Sequence, residues 1–335
     1  MVRDARASLD MLNTVQKLAD SGRDAAVVAA LGALPVHELE QSPTLALLFG
    51  IAQARLGRPS SGKQWVGTAL ETAQVRGDST VAARALNVSG AIAFEEGQGD
   101  DAVGFFTRGL AEAERLGDRA TVGRCSNNLG IIANLRGLYG RAIGSYTMAL
   151  AAFQQAARRS GVAETLHNLA ITYRDQRNLA RAAETEERAA EEARAAGDLS
   201  LVALIHCGRG KIRLRAGDAE LGRVEVNQAL AMHREIGDLA GEAEDLRTLA
   251  GALELLGQHA QAELMLRDVI RRAETLNRPL LVAQAEGDLA RLLLRRKQAP
   301  DAARELALRA RARFNGLGAV VEVRRLDGLL SEIPA

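Results

Sequence analysis

Glycine recurs at a fixed interval along this chain. Gly57, Gly97, Gly137, Gly217 and Gly257 are spaced by 40 residues, or by 80 across one vacancy, and Arg177 stands in the empty slot. A second series, Gly77, Gly117, Gly197 and Gly237, keeps the interval at an offset of 20, with Ala157 and Asn277 in its other slots. Asp follows glycine four times in the second series, at Asp78, Asp118, Asp198 and Asp238. Glycine closes a helix at low cost in the left-handed conformation, and an aspartate just beyond it caps the next helix. Each Gly-Asp therefore marks one helix stopping and another starting. A fixed period of this length is the mark of a repeat array, with two helices in each unit of about 40 residues.

Between the turns the apolar residues keep helical spacing. Leu129, Ile132 and Leu135 fall three apart, and Ile143, Tyr146 and Leu150 continue at i, i+3, i+7. Small residues hold two fixed columns. On the first helix of each unit the column reads Gly50, Gly90, Gly130, Ala170, Gly210, Ala250, Ala290. On the second it reads Gly62, Ala102, Ala142, Ala182, Gly222, Ala262, Ala302. Small side chains at matched heights let paired helices approach closely, which offsets the roughly 1 kcal/mol cost of glycine inside a helix. With only 3% aromatic residues among 47% hydrophobic ones, the core is built from such close approaches.

These columns carry a resemblance to the tetratricopeptide repeat. The closest matches are NNLGIIANLRGLYGRAIGSYTMAL (127–150) and HNLAITYRDQRNLARAAETEERA (167–189). The forty-residue spacing is similar to the long-helix variant in Pins-type polarity scaffolds, kinesin light chains and bacterial signalling regulators. The resemblance implies an all-α fold, a right-handed α-solenoid. Seven units are expected over 43–316, after a degenerate helix pair (4–20 and 23–34) and a polar link that together make up 1–42. A capping helix is expected within 317–335. Lys211 to Arg215 alternates like a strand when read alone, but Gly210 and Gly217 stay in phase and the helical frame takes precedence. His206 and Arg209 occupy positions where the frame expects large apolar residues, and repeat seven carries Lys297 where its turn glycine belongs.

Catalytic patterns are weak. The five histidines form no HxxxH or HExxH pair, and Cys125 and Cys207 form no CxxC. Cys207 to Lys211 imitates a phosphate-loop fragment, but Ile205 stands where its first glycine should be and Ile212 replaces the Ser/Thr. Glu186-Glu187 and Glu191-Glu192 are expected on a charged, solvated face of a second helix. Arg209, Lys211, Arg213 and Arg215 are expected to be neutralised by Glu220, Glu225 and Glu242. No enzyme activity, cofactor or metal is expected. Lys+Arg number 43 against 42 Asp+Glu, which gives no drive toward nucleic acid. No apolar run or signal-peptide pattern points to a membrane, so a cytoplasmic address is expected.

A solenoid's extended concave face is its usual contact surface. In tetratricopeptide proteins that face is presented by five columns of the first helix, at −6, −3, +1, +4 and +5 from the small residue. Transferred here, repeat two offers Arg84, Asn87, Ala91, Phe94 and Glu95, and repeat three Arg124, Asn127, Ile131, Asn134 and Leu135. Repeat four offers Glu164, His167, Ile171, Arg174 and Asp175, and repeat five Leu204, Cys207, Lys211, Leu214 and Arg215. Repeat six adds Glu244, Arg247, Gly251, Glu254 and Leu255. Asn128 and Asn168, two before the small position, match the asparagines with which the family holds a ligand backbone; an amide both donates and accepts. Over seven repeats the five columns hold nine basic residues against five acidic ones. The resemblance therefore implies an adaptor whose polar, net basic groove takes a protein or peptide partner, acidic or with a free C-terminus. The alternative is a ligand-responsive regulatory module acting through a partner protein. The family's carboxylate-clamp pattern is not met.

Overall fold

A computed structural model describes residues 11–19 and 22–333 and is entirely helical over them, with no strand. The expected first helix, 4–20, lies partly outside the described residues; α1 is helical over 11–19. It is followed by α2 (Asp24–Gly32) and α3 (Val36–Gln41), the latter where the sequence predicts only a polar link. Pro35 bars continuation of α2 and starts a new turn, and Leu39, 2% exposed, holds α3 to the core.

The repeats follow as antiparallel pairs: α4 (Pro43–Arg55) with α5 (Pro59–Arg76), α6 (Ser79–Glu95) with α7 (Gly99–Leu116), and α8 (Arg119–Leu135) with α9 (Tyr139–Gln155). Next are α10 (Arg159–Asp175) with α11 (Leu179–Ala196), α12 (Leu199–Arg215) with α13 (Ala219–Ile236), and α14 (Leu239–Leu255) with α15 (His259–Thr275). The last pair is α16 (Pro279–Arg295) with α17 (Pro300–Gly316), and α18 (Val320–Glu332) ends the array. The fold is an all-α, right-handed α-solenoid of helix-turn-helix units. The strand-like alternation at 211–215 lies inside α12.

Every expected turn slot adopts the left-handed conformation. This holds for the glycines and equally for Arg177 (φ 62°), Ala157 (φ 52°), Asn277 (φ 51°) and Lys297 (φ 52°). The aspartates cap as read: Asp78, Asp118 and Asp198 each accept the backbone N–H three residues on, at 3.1 Å, and Asp238 accepts from Ala240 and Gly241. The small column of the first helices receives a large side chain from the second. A Cβ added to Gly130 would lie 2.5 Å from the Tyr146 ring, one on Gly90 2.6 Å from Phe106, and one on Gly210 2.4 Å from Val226.

By contacts the chain divides into two units, Met1–Phe94 with Asp101–Cys125, and Glu95–Asp100 with Ser126–Ala335. In the first, Ala46, Leu47, Val66 and Ala69 centre one cluster, and Phe49 meets Trp65 edge-on at 5.3 Å. In the second, α10 touches α12, α12 touches α14 and α14 touches α16, whereas no comparable packing joins α11, α13 and α15 to one another. A layer whose members touch while its partner layer splays lies on the inside of the curve. The first helices of this unit thus form its inner face.

Candidate functional site

The inner face of the second unit is cross-linked by polar side chains, several of them one repeat and one residue apart. Asn168 Nδ2 donates to Asn127 Oδ1 at 3.1 Å, Cys207 Sγ meets Thr248 Oγ1 at 3.4 Å, and Arg247 donates to Asp288 at 2.8 Å. Each pair joins the −3 column of one repeat to the −2 column of the next, a separation of 41 residues. A parallel set joins +4 to +5: Asn134 Nδ2 donates to Asp175 Oδ2 at 3.1 Å and Arg295 donates to Glu254 at 2.8 Å. Helical geometry explains the offset, because consecutive positions on a helix point about 100° apart, so −3 can face the following repeat while −2 faces the preceding one.

The −3 column is therefore less open than the resemblance implies. Asn127 (3% exposed) and His167 (5%) are buried between neighbouring helices, and Cys207 is fully buried. Asn127 donates to Glu164 at 3.4 Å while accepting from Asn168. Asn128 and Asn168 are half-buried, and Asn134 is buried apart from its edge. Burial pushes both thiols up to about 12, against the nearby Arg124 for Cys125 and Lys211 for Cys207, so neither is a nucleophile near neutral pH. In the first unit, Asn87 is buried and accepts from Cys125 Sγ at 3.5 Å. Half-buried Arg84 and exposed Arg124 both lie in the field of the capping Asp118.

The positive excess on the inner face of the second unit is smaller than the five columns imply. Lys211 Nζ contacts Glu244 at 2.5 Å, and Arg247 bridges Glu244 and Asp288, both at 2.8 Å. Arg291 reaches Asp288 at 3.1 Å and Glu254 at 3.3 Å, and Arg174 pairs with Asp175 at 3.0 Å. Asp288 sits in the −2 column, outside the five that were counted. Burial alone would raise the Glu244 carboxyl, but Arg247 and Lys211 outweigh it and hold the group well below the usual carboxylate range.

Two expectations about charge change. Glu186 is not on a solvated face: it is 1% exposed and accepts a hydrogen bond at 2.8 Å from, or donates one to, His167 Nδ1. The repeat frame contained the signal, because Glu186 occupies the core column otherwise held by Val66, Phe106, Tyr146, Val226, Leu266 and Leu306. Glycine at 208 makes room for it, since a Cβ there would lie 1.8 Å from Glu186 Oε1. The basic run at 209–215 finds partners other than those expected. Arg209 pairs with Glu187 and Lys211 with Glu244, whereas Glu220 pairs with Arg223, Glu225 with His206, and Glu242 with Arg234 and Arg272. His206, in an apolar slot by the frame, is accommodated by its Glu225 contact at 2.7 Å. A third pair, His233 with Asp245 at 2.6 Å, is also buried and went unread in the sequence.

No family model matches the chain, and no curated protein does. Solved structures do. The chain is similar to a Rap protein complexed with competence and sporulation factor, at 14% identity and a TM-score of 0.65 over 98% of each chain. Aspartyl phosphate phosphatase F from Bacillus subtilis matches at 13% identity and 0.61, covering 86% of this chain and 70% of that one. The apo form of the quorum sensor NprR from B. thuringiensis matches at 14% and 0.55, over 98% of this chain and 99% of that one. The fold is that of tetratricopeptide-type helical repeat proteins, as the columns implied. Among the described residues no group of His, Cys, Asp or Glu has the arrangement of a metal site, and no helix is long and apolar enough to cross a membrane.

Proposed function

We propose that the inner face of the second unit binds an extended segment of a partner protein or peptide. The observation that carries this reading is the strip of half-buried polar groups on successive first helices, Asn128, Asn168 and Asp175, backed by the buried Asn127 and Asn134. Amides and carboxylates so placed can accept backbone N–H groups and donate to backbone C=O groups without regard to side-chain identity. The Rap protein complexed with competence and sporulation factor offers a precedent on the same fold. His167, Arg174, Lys211, Arg215 and Arg247 belong to this proposal, and Arg84, Asn87 and Arg124 are proposed separately as contacts on the first unit. The buried Asn127 and His167 act by holding their exposed neighbours rather than by touching the ligand. An acidic or C-terminal carboxylate preference fits the residual positive charge.

The second reading, a ligand-responsive sensor acting through a partner, is favoured by the likeness to the quorum sensor NprR over nearly the whole of both chains. Co-purification from native lysate, with cross-links mapped to residues, tests the first reading. Captured protein should cross-link to α8, α10 and α12, and Asn128→Ala with Asn168→Ala should abolish capture while the helical content of the array is kept, at the cost of the Asn127–Asn168 rung. Capture that survives the double substitution removes the groove assignment. A sensor would change its radius of gyration when a peptide or metabolite fraction is added without partner protein.

A further inference from the structure

In a repeat array each unit is expected to touch only its neighbours. The second unit departs from this at its two ends. Arg278, the residue before α16, donates to Glu95 Oε1 at 3.4 Å across 183 positions of sequence. The turn between α17 and α18 lies against the turns of repeats two and three. A Cβ added to Gly99 would lie 2.7 Å from the carbonyl oxygen of Leu317, and one on Gly316 would lie 3.0 Å from that of Gly97. A Cβ on Gly137 would lie 2.8 Å from Val321 Cγ2, and one on Gly318 would lie 3.2 Å from Arg136 Nε. Arg136 also donates to Asp100 at 2.6 Å, which joins the two turns to each other. All of these residues belong to the second unit.

The junction explains a glycine that the repeat frame does not. Gly97, Gly137 and Gly318 are left-handed, with φ of 79°, 74° and 68°, so their turns account for them. Gly99 is the first residue of α7, has no positive φ and is buried. The other repeats place Pro59, Tyr139, Leu179, Ala219, His259 and Ala299 in its slot. Here a main-chain oxygen crowds the place of its Cβ, and that oxygen cannot swing aside as a side chain can. The junction is also thin. Arg278 and Glu95 are each nearly half exposed, and an ion pair so exposed holds little. The closest approaches are at glycines and carbonyl oxygens, which offer little apolar surface to keep it shut.

We propose that this junction is a releasable clasp that gates the inner face. Closed, it fastens the end of the second unit to the turns of repeats two and three, so that only a free chain end can be drawn in. Open, it lets a segment from the middle of a partner chain be laid on from the side. The gating role rests on the inner-face reading; the clasp itself does not.

Spin labels on Gln98→Cys and Arg324→Cys, both exposed, measure the distance across the junction, and the native Cys125 and Cys207 are buried away from label. The otherwise unchanged protein should show a short distance and a second, longer population that grows with ionic strength as the ion pair is screened. A single short distance at every salt concentration overturns release. Gly99→Leu, which repeat four tolerates at Leu179, should shift the distances to longer values with helical content kept. Gly104→Leu, on the same helix with open space where its Cβ would go, should leave them unchanged. Glu95→Arg should lengthen them, and Glu95→Arg with Arg278→Glu should restore them. Unchanged distances in Gly99→Leu or Glu95→Arg overturn the clasp. For the gate, Glu95→Cys with Arg278→Cys is locked by a short bismaleimide. It should capture partner from native lysate roughly tenfold less, or weaker still, than the same protein capped with N-ethylmaleimide. Equal capture by the two forms overturns the gate and leaves the groove reading intact. If neither form captures protein while Gly99→Leu still lengthens the distance, the groove reading falls and the clasp stands.

Discussion

At the scale of single residues, the most consequential departure from the repeat pattern is the His167–Glu186 pair. It puts the polar Glu186 in a core column, where His167 meets it from the −3 column and Gly208 opposite has no side chain to oppose them. Removing one partner from a buried pair strands the other, so Glu186→Ala is expected to cost about 3–5 kcal/mol by denaturant titration. His167→Leu with Glu186→Leu restores the apolar column and is expected to be neutral or stabilising by about 1–4 kcal/mol. The pair was legible as a column violation at 186, but not as a contact, because a single sequence does not say which polar residue faces which across two helices. His233 provides a pH test. Burial opposes its charge, but the hydrogen bond and field of Asp245 outweigh burial and raise its pKa above 6.5. The stabilisation from that pair is complete below the ordinary histidine value and is lost as pH rises through the raised one. The denaturation midpoint should therefore fall on going from mildly acidic to alkaline buffer, and Asp245→Asn should flatten that part of the profile.

At the scale of elements, the turns were almost fully legible, because the constraint on them is local. A helix that must stop and reverse needs one left-handed residue, and the slot shows in the sequence whether or not glycine fills it. Ala157 accepts φ 52° against the preference of a side chain, at a cost of order 1 kcal/mol. Ala157→Gly should therefore raise stability by about 1 kcal/mol, less the chain entropy that glycine adds to the unfolded state; a lower melting temperature would contradict this account of the turn. The short α3 was not legible, since six residues between Pro35 and Ser42 carry too few apolar positions to show a period. The columns placed the correct helices on the inner face of the second unit. They misjudged how open that face is: the −3 position packs against the −2 position of the next repeat, and a rule stated for one repeat at a time does not contain the neighbour.

At the scale of the whole molecule, each repeat draws its stability from itself and its two neighbours. Damage should stay local. In Glu186→Ala, hydrogen exchange is expected to quicken through α10 to α12 while α15 to α17 keep wild-type protection; uniform loss would mean the array unfolds as one block. The one-repeat-plus-one rungs carry a further consequence. Repeats three and four are joined amide to amide, five and six thiol to hydroxyl, and six and seven guanidinium to carboxylate. The backbone would accept these units in any order, since all share the same period and turns. The rungs would not: moving repeat six to follow repeat three sets Asn127 against Thr248 and takes Arg247 away from Asp288. The junction chemistry thus acts as a set of keyed joints that specifies which unit follows which, and permuted arrays of these repeats should keep their helices while losing melting temperature at each mismatched joint.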